Sequence, residues 1–199
     1  MSQYVFIVDD DPAVRDSISL WLSCHHYQTL CFEDAVQFTQ QFTADLKGCI
    51  IADIRMPGMD GLELQAHLNE IGCQLPLIFI TGHGTVPMAV EAMRSGALDY
   101  LRKPVNEQQL LHKVAEAFAT DQANSEQQLL TLAHQTQLNS LTNREQQVAA
   151  LVVDGRANKV IASDLGISER TVEVHRASVM VKLEVKTLAQ LVKSYLKIT

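Results

Sequence analysis

Cys49-Ile50-Ile51-Ala52-Asp53-Ile54-Arg55-Met56-Pro57-Gly58 is the stretch on which the reading of this chain turns. A short apolar run with Gly48 before it and Pro57-Gly58 after it reads as a buried strand entering a tight turn. Such a parallel strand is apolar throughout because helices cover both faces of its sheet. Asp53 stands where the strand leaves the sheet, and in open α/β sheets chemistry collects beyond the carboxyl ends of the strands. A carboxylate there costs free energy unless it is paired or bound to a metal. Read alone, Asp53 fits a helix N-cap equally well.

The neighbouring strand ends change that balance. Tyr4-Val5-Phe6-Ile7-Val8 runs into Asp9-Asp10-Asp11, Leu77-Ile78-Phe79-Ile80 into Thr81-Gly82, and Leu98-Asp99-Tyr100-Leu101 into Arg102-Lys103-Pro104. Acids packed together repel and invite a hard divalent cation with oxygen ligands. Carboxylates bridged by a metal, with a hydroxyl and an ammonium to hold phosphoryl oxygens, make a phosphoryl-transfer site.

Those residues resemble the receiver domain of two-component response regulators: Asp9-Asp10, Asp53, the Met56-Pro57-Gly58-Met59-Asp60-Gly61 turn, Thr81-Gly82 and Lys103-Pro104, in order and spacing. The stretch Thr81-Gly82-His83-Gly84-Thr85-Val86-Pro87-Met88-Ala89-Val90-Glu91-Ala92-Met93 is similar to the FixJ branch of these regulators. The resemblance implies that Asp53 accepts a phosphoryl group from a sensor histidine kinase or a small phosphodonor. It implies Mg²⁺ (or Mn²⁺) held by Asp10, Asp53 and the backbone carbonyl of Arg55, with Asp9 directly or through water. Lys103 would pair with the phosphoryl group and Thr81 would hydrogen-bond it. Tyr100 matches the family's switch aromatic, which turns inward when the threonine moves; read without the family it is a half-buried strand aromatic.

Between these strand ends the chain alternates. Pro12 opens a helix through Val14, Ile18, Trp21 and Leu22, with Pro at a position where its missing N–H costs nothing. Gln28 to Phe32 reads as a second strand, and Ala35, Phe38 and Phe42 mark a second helix. Leu62, Leu64 and Leu68 mark a third helix ending near Gly72, Val86 to Arg94 a fourth ended by Gly96, and residues 106–119 a fifth through Leu110, Leu111, Val114 and Phe118. Strict β-α alternation implies a parallel, doubly wound five-stranded sheet of the flavodoxin-like α/β class. Its strand order, 2-1-3-4-5, comes from the family alone.

The sequence divides into a receiver domain over 1–120, a linker over 121–139 and a DNA-binding domain over 140–199. No Gly or Pro occurs between Pro104 and Gly155, and 121–139 is rich in helix-forming Gln, Ala and Leu. A flexible linker favours Gly, Ser or Pro, so the fifth helix is expected to run on to about Thr136. The alternative is a polar, partly disordered tether.

In the tail, Thr142 and Glu145 fit a capping box, Val148, Leu151 and Val152 form that helix's apolar face, and Gly155 ends it. Asn158 can cap a helix over Lys159 to Leu165, Gly166 makes a sharp turn, and Ser168 caps a helix to about Leu183. A last helix carries Leu188, Leu191, Val192 and Leu196. Two short helices around a tight Gly turn spell helix-turn-helix, although plain helical hairpins share that pattern. The wording is more specific: Leu141-Thr142-x-Arg144-Glu145, Asn158-Lys159-Val160-Ile161-Ala162-x-x-Leu165-Gly166-Ile167-Ser168, Arg170-Thr171-Val172-x-x-His175 and Lys182-Leu183. It resembles the all-α, four-helix LuxR/NarL-type DNA-binding domain, with Asn143 where that family usually has Pro.

A wheel over the recognition helix turns Val172, His175, Val179 and Leu183 toward a core and Glu173, Val174 and Ala177 toward a major groove, with Arg176 on the flank. Lys159, Ser168, Arg170, Thr171, Arg176 and Lys182 complete the candidate DNA contacts. The basic ones suit phosphates, which position a protein without reading sequence. Glu173 can accept from a cytosine amino group and Val174 can touch a thymine methyl. The alternative for Glu173 is an ion pair with a neighbouring Arg.

Charge supports this division. The net charge of −7 conceals −8 over residues 1–120, −2 over 121–137 and +3 over 138–199. A basic tail on an acidic body suits an anionic partner such as double-stranded promoter DNA. No apolar stretch approaches a bilayer span and no leader is apparent, so no membrane partner is expected and the expected location is cytoplasmic. Cys24, Cys31, Cys49 and Cys73 form no C-x-x-C pair, which favours reduced thiols.

The combined reading is a phosphorylation-controlled transcriptional regulator, an activator by family habit, that dimerises through the receiver and meets RNA polymerase at promoters. It is not an enzyme beyond accepting the phosphoryl group and slowly losing it. A haloacid-dehalogenase-type hydrolase needs a second Asp where Arg55 stands. A Rossmann-like binder needs a G-x-G-x-x-G after the first strand, which is missing. A signalling adaptor whose tail binds protein is the remaining alternative.

Overall fold

The computed structural model describes residues 3–82 and 84–196, with the side chain of Leu196 outside the described set. The chain divides into two compact units, Met1–Ser125 and Glu126–Thr199.

The first unit alternates strictly: β1 (Tyr4–Val8), α1 (Pro12–Cys24), β2 (Gln28–Phe32), α2 (Ala35–Gln41), β3 (Gly48–Asp53), α3 (Gly61–Glu70), β4 (Leu77–Thr81), α4 (Val86–Arg94), β5 (Asp99–Arg102) and the start of α5 (Glu107–Asn139). All five strands pair in parallel, in the order β2-β1-β3-β4-β5. The fifth strand starts at Asp99, one residue later than its apolar run suggested, and Leu98 just before it donates its N–H to the Leu77 carbonyl.

Each strand sends alternate side chains to opposite faces. Phe6, Val8, Ile50, Ala52 and Phe79 pack with residues of α2, α3 and α4, among them Phe38, Leu64 and Ala92. Val5, Ile7, Ile51, Ile78 and Ile80 pack with Ile18 and Leu22 of α1 and Leu110, Val114 and Ala117 of α5. Every residue of β3 is buried, as a central strand with two covered faces requires.

Helix α5 is 33 residues long, so residues 121–139 are helical. Asp121 continues the stripe of Leu110, Val114 and Ala117 and is itself buried. Its Oδ2 accepts the Gly48 N–H at 3.0 Å, and Lys47 Nζ donates to Ser125 Oγ at 2.8 Å. The first unit therefore holds the helix beyond residue 120.

The second unit adds α6 (Asn143–Val153), α7 (Asn158–Leu165), α8 (Glu169–Lys182) and α9 (Leu188–Leu196) around Val148, Val152, Ile161, Val172, Val179 and Leu191. Thr142 and Glu145 form the reciprocal capping box of α6. Gly166 takes φ +65°, the left-handed conformation that ends α7 and turns the chain into α8, where Ser168 accepts the Thr171 N–H. The cap of α7 departs from expectation. Ala157, which has no side-chain acceptor, is the N-cap; Asn158 is the first helical residue and its Oδ1 accepts from Arg176 at 2.6 Å. No helix among the described residues is long and apolar enough to cross a membrane.

Candidate functional site

Parallel pairing aligns the carboxyl ends of β1 and β3, with Val8 opposite Ala52, so Asp9 and Asp53 leave the sheet side by side. Both are buried, and Asp10 beside them is exposed. One carboxylate oxygen from each of Asp9, Asp10 and Asp53 lies within 4.8 Å of the others. Lys103, just past β5, reaches in from the other side: its Nζ is 2.7 Å from Asp9 Oδ2 and 2.7 Å from Asp53 Oδ2. The remaining oxygens accept backbone N–H groups, Asp9 Oδ1 from Asp11 at 3.0 Å and Asp53 Oδ1 from Arg55 at 3.2 Å.

The electrostatics follow from this crowding. Burial pushes the Asp9 carboxyl above its ordinary value, against the hydrogen bonds from Lys103 and Asp11. Burial also works against the Lys103 ammonium, but its hydrogen bonds to Asp53 and Asp9 outweigh that, and its pKa ends above the usual lysine value. An all-oxygen donor set from three acids fits a hard divalent cation such as Mg²⁺ or Mn²⁺.

The floor of the site is fixed by a close approach. Gly61 opens α3 and donates its N–H to Ile54 O at 2.8 Å. A Cβ at Gly61 would collide with the Asp53 carbonyl oxygen, so only glycine lets α3 start this near the phosphoacceptor candidate. Ile54 and Met56 turn back into the core and anchor the loop, leaving Arg55 exposed.

Thr81 ends β4 next to Ile80, the partner of Asp53, and is buried. Tyr100 in β5 packs against the core with its hydroxyl buried and without a hydrogen-bond partner among the described residues. The ring tip lies over Gly84, beside Thr81. A buried hydroxyl without a partner costs about 1–3 kcal/mol. His83, in the same loop, lies outside the described residues.

In the second unit, Lys159, Ser168, Arg170, Glu173, Val174 and Ala177 are exposed on α7 and α8 or the turn between them, and Thr171 is partly exposed. Glu173 forms no ion pair among the described residues. Val172, Val179 and Leu183 fill the core, while His175 is half-buried.

Two of the expected phosphate contacts are engaged inside the unit. Arg176 is tied to Asn158, and Lys182 Nζ lies 2.7 Å from Glu145 Oε2 and donates to Ser140 O at 3.1 Å. Ser178 Oγ donates to Glu145 Oε1 at 2.5 Å. The Lys182 hydrogen bond, with those from Ser178 and the Thr142 N–H, lowers the Glu145 pKa to about 2. This network escaped the sequence reading. Its signal was Ser178 and Lys182, four apart and so on one helix face, opposite a capping glutamate with a second oxygen to offer.

Comparison with known proteins agrees with both halves. Residues 5–115 match the response regulator receiver domain, and residues 139–195 match the luxR family of bacterial regulatory proteins. The chain is 37% identical to nodulation protein W of Bradyrhizobium diazoefficiens, over 95% of this chain and 83% of that one. It is 41% identical to the transcriptional regulatory protein FixJ of Rhizobium meliloti, over 97% and 95%. Among solved structures, the response regulator StyR superposes with a TM-score of 0.86 at 40% identity, covering 99% of this chain and all of that one.

Proposed function

We propose a working mechanism for a chain that belongs to the two-component response regulators, with a receiver domain and a LuxR-type DNA-binding domain: phosphorylation of Asp53 controls its transcriptional output. The family consists of transcriptional regulators rather than enzymes, and its architecture implies a histidine kinase upstream and DNA downstream. The observation that carries the finer reading is the convergence of Asp9, Asp10, Asp53 and Lys103 at the carboxyl edge of the sheet.

A carboxylate oxygen of Asp53 bonds the phosphorus as the bond to the donor breaks, and a donor imidazole or acetate leaves with the electron pair. Lys103, already 2.7 Å from Asp53, supplies an ammonium to a phosphoryl oxygen. Thr81 offers its hydroxyl from the adjacent strand end. Asp9, Asp10, Asp53 and the Arg55 carbonyl would hold Mg²⁺ (or Mn²⁺). Bound there, the cation offsets the negative charge of the phosphoryl group and the acids. Tyr100 reports the change through β5 and α4.

Phosphorylated receivers pair as a homodimer, and the α7–α8 motifs of the pair bind two half-sites in promoter DNA and act on RNA polymerase as an activator. In α8, Arg170 and Thr171, with Lys159 and Ser168 nearby, serve phosphates, while Glu173, Val174 and Ala177 face base edges. The functional division is a receiver over 1–120, a linker over 121–139 and a DNA-binding domain over 140–199.

The test is solution mass by sedimentation, with and without Mg²⁺ and acetyl phosphate, beside Asp53→Asn. A monomer that dimerises only with an intact Asp53 supports the mechanism. A constitutive dimer, or an unchanged mass with a phosphoryl group verified on Asp53, refutes the dimerisation step.

A further inference from the structure

The Tyr100 side chain reaches its inward position through a gap that one particular residue leaves open. A Cβ built at Gly84 would collide with the Tyr100 hydroxyl, would stand 2.6 Å from Cζ of that ring, and would stand 2.7 Å from the Thr81 Cγ2 methyl. Contacts that short do not persist, so ring and side chain cannot share the space. What glycine provides at 84 is room. The room is taken by a hydroxyl that is buried and has no hydrogen-bond partner among the described residues.

We propose that Gly84 is a positioning residue of the phosphorylation response: its missing side chain is the slot that admits Tyr100 beside Thr81, and a methyl group there keeps the ring out. This rests on the reading of Tyr100 as the element that carries the state of Asp53 outward. A methyl at Gly84 meets the Tyr100 ring first and the Thr81 methyl next, so its effect on output is read at matched Asp53 occupancy. Read in this way, Gly84→Ala separates output from occupancy, which a general loss of structure would move together.

The experiment uses the full chain labelled with 3-fluorotyrosine. The sequence has four tyrosines, and Tyr100→Phe identifies the resonance of interest. Accessibility of that resonance to a soluble paramagnetic chelate is measured before and after treatment with Mg²⁺ and acetyl phosphate, and Asp53 occupancy and solution mass are read on the same samples. In the wild type the ring is protected in at least the phosphorylated sample. In Gly84→Ala it is accessible in both, and at matched Asp53 occupancy the dimer constant falls about tenfold or more, as expected when a filled site must admit an extra methyl. Equal protection in Gly84→Ala and wild type overturns the proposal, as does a wild-type ring accessible in both states. Should Gly84→Ala unfold, the double variant with Tyr100→Ala decides: recovered folding supports the steric conflict, and no recovery overturns it. A wild type that is phosphorylated, protected and still monomeric refutes the dimerisation step while leaving the slot supported.

Discussion

Lys182 at the end of α8 closes an ion pair with Glu145 in the first turn of α6, Nζ to Oε2 at 2.7 Å, and so joins these two helices. The glutamate is nearly buried and the lysine about one-third exposed. Three further hydrogen bonds converge on the pair, from Ser178 and the Thr142 N–H to Glu145, and from Lys182 to the Ser140 carbonyl.

This pair makes the second unit sensitive to acid. Glu145 titrates at about 2 when folded, below the roughly 4.3 of an unfolded glutamate. The folded state therefore binds the proton less readily, and the stabilisation is complete above about pH 4.3 and lost as the pH falls toward about 2. Urea titrations followed at α8 backbone resonances are expected to lose stability across that window. Glu145→Gln keeps the shape and removes the charge. It is expected to cost about 1–2 kcal/mol at neutral pH, the lower part of the charged-bond range because Lys182 is partly solvated, and to flatten the acid limb. An unchanged acid limb in the variant would refute the assignment to Glu145.

The receiver acids carry the opposite sign. Three carboxylates converge within 4.8 Å, and among the described residues the Lys103 ammonium pairs with Asp9 and Asp53 but not with Asp10. Asp9, with its pKa raised by burial, opposes folding as the pH rises past its ordinary value. Relieving the crowding should stabilise the unit. Asp10→Asn, at the exposed member, is expected to raise stability by about 1 kcal/mol in chelator, the size of one such charge pair near water. Mg²⁺ at about a hundred times its Kd is expected to add about 2.7 kcal/mol to the wild type and distinctly less to the variant. Thermal unfolding in EDTA and in Mg²⁺ measures both, and a variant less stable than wild type in EDTA would contradict the repulsion argument.

These features were not equally legible in the sequence. The apolar runs of β1, β3, β4 and β5 and the acids, hydroxyl and lysine at their ends are local, and parallel pairing carries them to one edge; that is why Asp9, Asp53, Thr81 and Lys103 could be named together. The strand order required the family, because spacing does not say which strands are neighbours. The Glu145–Lys182 pair and the Asp121–Gly48 bond span 37 and 73 residues. Contacts at such separations leave only faint traces in a sequence, here an i,i+4 pair and an acid continuing an apolar stripe. The cap of α7 was misread by one residue: Asn158 has the right chemistry for a cap, but it is the first helical residue, and its oxygen accepts from Arg176 of another helix.

Tyr100 offers a prediction opposite to the usual one for a tyrosine in a functional site. Its hydroxyl is buried without a partner among the described residues, and burial pushes its pKa up. Tyr100→Phe removes the cost of that hydroxyl while keeping the ring. The variant is expected to favour the inward position by about 1 kcal/mol and to dimerise at a lower degree of Asp53 phosphorylation. Sedimentation over an acetyl phosphate series measures this. Loss of dimerisation in Tyr100→Phe would mean that the hydroxyl has a partner in the active state.

On α8, Arg170 and Glu173 stand three residues apart, both exposed and opposite in charge. If Arg170 neutralises a phosphate, Arg170→Ala weakens binding to all sequences alike and lowers the slope of log affinity against log salt by about 0.9. If Glu173 faces the same polyanion, its sign is wrong for it, and Glu173→Ala is expected to strengthen binding to random duplex. If Glu173 also reads a cytosine amino group, the same change costs about 1–3 kcal/mol of discrimination at one base position. Binding isotherms over a salt series on a selected site and on random DNA separate the two roles. Stronger random binding with unaltered discrimination would reduce Glu173 to a charge that tempers nonspecific affinity. Weaker random binding would instead give it a structural role in holding α8, since removing an acid that faces only phosphates cannot weaken the attraction.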